Sequence, residues 1–118
     1  MNFLSLGAGL AALGVILGAF GAHGLKNVLD APMLQIFETG VRYQMYSAFG
    51  LIAVGLVRTE SPLLSWSGWL LLAGTVVFSG SLYGLTLTGL RKLGMITPLG
   101  GLMMIAGWIL LAVAARAR

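Results

Sequence analysis

The sequence predicts an all-α integral membrane protein, an up-down bundle of four transmembrane helices with a short amphipathic helix ahead of the second. Three observations predict it. Of the 118 residues, 58% are hydrophobic and 8% charged, whereas a soluble domain carries roughly a quarter charged residues to cover its surface. The apolar residues gather into stretches close to the ~20 needed to cross a hydrocarbon core about 30 Å thick. The few charges and prolines stand between those stretches. Lipid offers backbone groups no partner, so spanning segments must be helices or closed barrels, and the strict alternation of barrel strands is absent.

Residues 1–22 contain no charged side chain, and a first helix is expected over about 3–22. A cleaved signal peptide would open on a Lys- or Arg-bearing region. None is present, so the segment reads as a retained span. Residues 26–42 are mixed. Asp30 can cap a short helix beginning near Pro32. Gln35, Glu38 and Arg42 then share one face and Leu34, Phe37 and Val41 another, the pattern of an amphipathic interfacial helix. It runs into a second span over 41–57. Its charge-free part, 43–57, is short, which puts Arg42 at the membrane edge or inside it.

Arg58 and Glu60 mark a polar turn. Ser61-Pro62 reads as an N-cap followed by proline at the first helical position. No charge follows before Arg91, more than one crossing needs. The third span is placed at 66–87, tilted or partly interfacial, with Trp66 and Trp69 as headgroup anchors. Arg91, Lys92 and Gly94 form the next turn. Thr97-Pro98 repeats the cap-plus-proline signal before a fourth span over 97–114. Short connections make successive helices antiparallel neighbours in a single domain, 1–118. Both termini then share a side. Lys26, Arg42, Arg91 and Lys92 on one side face Arg58, Arg116 and Arg118 on the other, and this small excess places the termini outside.

Helices in lipid associate by close backbone approach and by hydrogen bonds. Eighteen glycines permit such approach. Gly7, Ala11, Gly14, Gly18 and Gly21 form a stripe of small residues down the first helix. Gly80 and Gly84 stand at GxxxG spacing in the third, and Gly100, Gly107 and Ala114 seven apart in the fourth. Helix packing is the expected role of these stripes, with a solute path as the alternative.

The formal charge of +4 is scattered singly or in pairs between apolar segments, so no basic run exists to bind nucleic acid. Cysteine is absent, and one histidine with three acids makes a poor metal set. No metal and no cofactor is expected. No Ser-His-Asp set or phosphate-binding glycine loop is evident. The polar candidates lie at membrane depth or at its edge. Thr75, Ser79, Tyr83 and Thr86 recur on one face of the third helix, suited to interhelical bonds or to a hydrophilic path. Glu38 and Arg42 stand at ion-pair spacing but close enough to a helix end to reach the headgroups. Tyr43 lies beside Gln44, which is deeper and needs a partner across the bundle. His23 is placed to cap the first helix or exchange protons.

Residues 18–25 (GAFGAHGL), Thr39-Gly40 with Tyr43-Gln44, residues 78–83 (FSGSLY) and 97–101 (TPLGG) together resemble the small inner-membrane proteins grouped as domain of unknown function 423. The eukaryotic transmembrane protein 256 group is similar. The resemblance covers nearly the whole chain. It implies a four-helix protein of the bacterial inner (plasma) membrane and carries no assigned activity. Many members have a histidine four residues after the tyrosine of the Tyr-Gln pair. Here that position is Ser47, which removes any mechanism needing two histidines.

Small-residue stripes outnumber poised ionisable groups. The expected function is therefore non-enzymatic: a membrane factor that associates with itself or interacts with membrane lipids. The alternative is a small-solute or proton-coupled transporter. Small multidrug exporters, similar in size and helix count, carry a carboxylate deep in their first helix, and residues 1–22 hold none. The sequence identifies no small-molecule ligand.

Overall fold

The computed structural model, described here for residues 2–116, places four helices in series: α1 (Phe3–His23), α2 (Ala31–Leu56), α3 (Pro62–Thr88) and α4 (Thr97–Arg116). Three of the starts are side-chain caps. Asn2 accepts from the Ser5 amide at 3.0 Å, Asp30 from Met33 at 2.9 Å and Ser61 from Leu63 at 3.2 Å, each satisfying an amide that the first turn leaves orphaned. The α3 helix ends at Gly89, whose φ of +79° is the left-handed conformation that glycine adopts without strain. A 3₁₀ turn, Arg91–Met95, leads into α4.

One boundary differs from the sequence expectation. The amphipathic stretch is not a separate helix; Ala31–Leu56 is continuous. No proline interrupts it after Pro32, and Gly40, the one glycine of the amphipathic stretch, is buried against Tyr83. The third helix begins at Pro62, directly after its Ser61 cap, a turn before the span placed at 66–87. The hydroxyl of Thr97, expected to cap α4, instead pairs with Ser81 of α3.

Neighbours in sequence are neighbours in space: α1 packs on α2, α2 on α3 and α3 on α4, while α2 and α4 touch only sparsely. The only buried residues of α1 are Gly7, Gly14 and Gly21, seven apart and therefore on one face. A Cβ on Gly7 would lie 2.7 Å from the Ala48 carbonyl oxygen and one on Gly21 3.0 Å from the Phe37 ring. Gly14 meets Met45, and Gly18 lies against Val41. The register is antiparallel along the whole length of α1. Between α3 and α4 the backbones come close at Gly74 and Gly100, where a Cβ on either would sit 2.9 Å from the other's carbonyl oxygen. Gly107 seats Leu71, and Gly84 receives Leu93. Gly80 departs from this pattern. It is exposed, with open space where a Cβ would be, and packs on no other helix of the chain.

The long axis of the molecule measures 49 Å, comparable to a bilayer with its headgroup regions. Helices α1 and α3 and the segment Arg91–Arg116 are long and apolar enough to cross a membrane. Large apolar side chains point outward all round, including Val15 (64% exposed), Trp66 (62%) and Leu102 (65%). In water such a surface would aggregate.

Candidate functional site

The middle of the protein is a polar seam between α2 and α3. Gln44 is 2% exposed and joins three helices: its Nε2 donates to the Leu10 carbonyl of α1 at 2.9 Å, and its Oε1 accepts from the Tyr83 hydroxyl of α3 at 2.6 Å. A carbonyl can only accept, so this pairing fixes the orientation of the amide. One turn away, Ser79 Oγ donates to the Gly40 carbonyl at 2.6 Å. Gly40 lets Tyr83 come close to the α2 backbone, since a Cβ there would lie 2.8 Å from the ring. Phe37 packs obliquely against Tyr83, ring centres 5.1 Å apart. Three of the sequence candidates, Gln44, Ser79 and Tyr83, are thus gathered into one cluster.

Deeper along the seam, Ser47 and Thr75 are 0% and 4% exposed and their hydroxyls have no hydrogen-bond partner. The α2–α3 register, set by Ser79 on Gly40 and by Gly50 against Leu71, puts the two in the same layer. Toward α4, Ser67 Oγ donates to the Gly107 carbonyl at 2.7 Å. Thr86 returns its hydroxyl to the Leu82 carbonyl of its own helix, 3.0 Å away.

The remaining candidates lie outside the seam. Glu38 and Arg42 are exposed on the outer face of α2, and His23 is exposed at the end of α1. There the amide of Gly24 closes the helix on the Phe20 carbonyl at 2.6 Å. Tyr43 also points outward, 38% exposed, with its ring 4.7 Å from Phe78. Among the described residues no three His, Cys, Asp or Glu side chains converge as metal ligands. Sequence reasoning missed Ser67 and the Ser81–Thr97 pair. Lone serines in an apolar helix were the available signal, but only the α3–α4 register shows which carbonyl or hydroxyl each one meets.

Antiparallel helices joined by glycine contacts and buried amide and hydroxyl bonds, wrapped in an apolar exterior, define a small helical membrane protein. Residues 17–101 match the family described as "Protein of unknown function (DUF423)", and the chain belongs to that family. It is 50% identical over 112 residues to a UPF0382 membrane protein of Staphylococcus saprophyticus, covering 94% of this chain and 93% of that one. It is 48% identical over 116 residues to the UPF0382 membrane protein YwdK of Bacillus subtilis, covering 96% and 94%. No solved structure matches it.

Proposed function

We propose that the chain crosses the bacterial inner (plasma) membrane four times, with both termini outside, and acts without catalysis as a lipid-interacting, self-associating membrane factor. Helix α2 carries Glu38 and Arg42, yet it lies antiparallel along α1 from Gly21–Phe37 to Gly7–Ile52. If α1 and α3 span, α2 spans between them. Its 26 residues are about 39 Å long, enough to leave Glu38 and Arg42 near one surface, where long side chains reach the headgroups.

The observation that carries the functional reading is the division between interior and exterior. Gln44, Ser67, Ser79 and Tyr83 all bond to other helices of the chain, while the outside is a broad apolar surface. A transporter is the second reading, favoured by one feature, the unpartnered hydroxyls of Ser47 and Thr75. Its weakness is that among the described residues no acidic, basic or histidine side chain is buried, and conducting paths through lipid usually contain one.

Reconstitution separates the two. Purified protein in liposomes is expected to give no saturable flux of solutes or protons above a protein-free control. Chemical cross-linking is expected to trap homo-oligomers, and lipid is expected to remain bound through detergent exchange. Saturable, substrate-specific flux would overturn the proposal.

A further inference from the structure

Because α2 and α4 both pack on α3 but scarcely touch each other, a trough runs between them on the outer surface. It encloses about 300 Å³ and is lined by Tyr43 and Tyr46 of α2 and by Gly101, Ile105 and Trp108 of α4. Trp108 also borders a second hollow lined by Val57 and Leu111, and its ring lies against Gly50 of α2, closing the trough at that level. From Gly101 to Ile109 along α4 it is about 12 Å long at 1.5 Å per residue, most of one leaflet of a 30 Å hydrocarbon core.

Arg42 stands exposed at one end of this trough, next to Tyr43 and one turn from Tyr46. Tyr43 packs on Phe78, which in turn meets Gly100, so Arg42 lies about one turn inside the start of α4 at Thr97. An arginine at that depth reaches the phosphate level by extending along the helix. Its end of the molecule carries Lys26, Arg42, Arg91 and Lys92 against Asp30 and Glu38, four cations to two acids. Among the described residues the opposite end carries Arg58 and Arg116 against Glu60. A second copy docked along the trough would bring cation-rich ends together. An anionic lipid would not.

We infer that the α2–α4 trough seats an acyl chain of an anionic phospholipid whose phosphate is held by Arg42. Glycine at position 101 keeps the floor open. The aromatic rings of Tyr43, Tyr46 and Trp108 provide flat apolar walls. Arg42 supplies the headgroup selectivity that the apolar walls lack. This inference rests on the lipid-interacting reading and makes it specific.

The test uses Trp108 as its own reporter. In a Trp66→Phe/Trp69→Phe background, Trp108 is the sole tryptophan. The protein is reconstituted in phosphatidylcholine vesicles containing equal mole fractions of either dibrominated phosphatidylglycerol or dibrominated phosphatidylcholine. Quenching of Trp108 is expected to show about a fivefold preference for the anionic lipid, the effect of one cation at an anionic membrane surface. Arg42→Gln should abolish the preference and Arg42→Lys preserve it. Gly101→Leu, which fills the trough, should abolish it with the charge intact.

Equal quenching by the two lipids would overturn the inference, since it is the behaviour of unselective surrounding lipid. The broader lipid-interacting reading would then still be judged by lipid retention and flux. Trp108 shielded from both lipids, and released on dilution into more lipid, would also overturn it by assigning the trough to a second copy.

Discussion

Gln44 and Ser47 are both buried, uncharged and on one face of α2, but the structure gives them opposite roles. Gln44 bonds to α1 and α3 at once, whereas the Ser47 hydroxyl bonds to nothing. Removing one partner of a buried bond strands the other, while removing an unpaired hydroxyl strands nothing. Gln44→Leu should therefore lower stability by about 1–2 kcal/mol, as interhelical bonds in membranes average somewhat below 1 kcal/mol each and the Tyr83 hydroxyl would be left alone. Ser47→Ala should leave stability within about 0.5 kcal/mol or raise it. The unfolding midpoint in SDS titration of mixed micelles reads both. The need of Gln44 for a partner was legible in the sequence, because an amide amid apolar residues must be satisfied. The identity of its partners was not, because Leu10 and Tyr83 lie 34 and 39 residues away.

Glycines carry the contacts between elements, and they are not equivalent. At Gly100 an added methyl would press on the backbone of Phe78 and Gly74, neither of which can rotate away. Gly100→Ala should force α3 and α4 apart and lower stability by about 1–3 kcal/mol, the usual range for overpacking. At Gly80 nothing lies within 4 Å, so Gly80→Ala relieves only a poor helix former and should raise stability by up to about 1 kcal/mol. The same titration distinguishes them. A loss at Gly80 as large as at Gly100 would show that this face is covered in the membrane by another copy. Spacing alone assigned both glycines to packing. The stripe of α1 was readable because its sevenfold repeat keeps one face, but GxxxG spacing in α3 names a face without saying what covers it.

At the scale of the whole molecule, the question is how many times the chain crosses. The absence of native cysteine makes single-cysteine variants clean reporters. With four spans, Asn2→Cys and Glu60→Cys should react with a membrane-impermeant maleimide in intact cells, and Asn27→Cys and Lys92→Cys only after permeabilisation. If α2 lay along the surface instead, positions 27 and 60 would label from the same side. The reversed pattern at all four positions would keep the spans and invert the orientation, an outcome that a one-residue excess of Lys and Arg leaves finely balanced.

Composition and the placement of charges were enough to determine the medium and the helical class. Apolar length, proline and capping residues act locally, and they marked the starts at Asp30 and Ser61 from sequence alone. What the tertiary structure decided was everything that depends on the rotation and register of one helix against the next. It took α2 through the amphipathic stretch without a break, turned Glu38 and Arg42 outward while Gln44 turned inward, and set α2 and α4 far enough apart to leave a trough. Such outcomes follow from contacts tens of residues apart in sequence, and in lipid these rest on backbone approach and single hydrogen bonds. A hydrophobic pattern that marks every face as apolar carries no record of them.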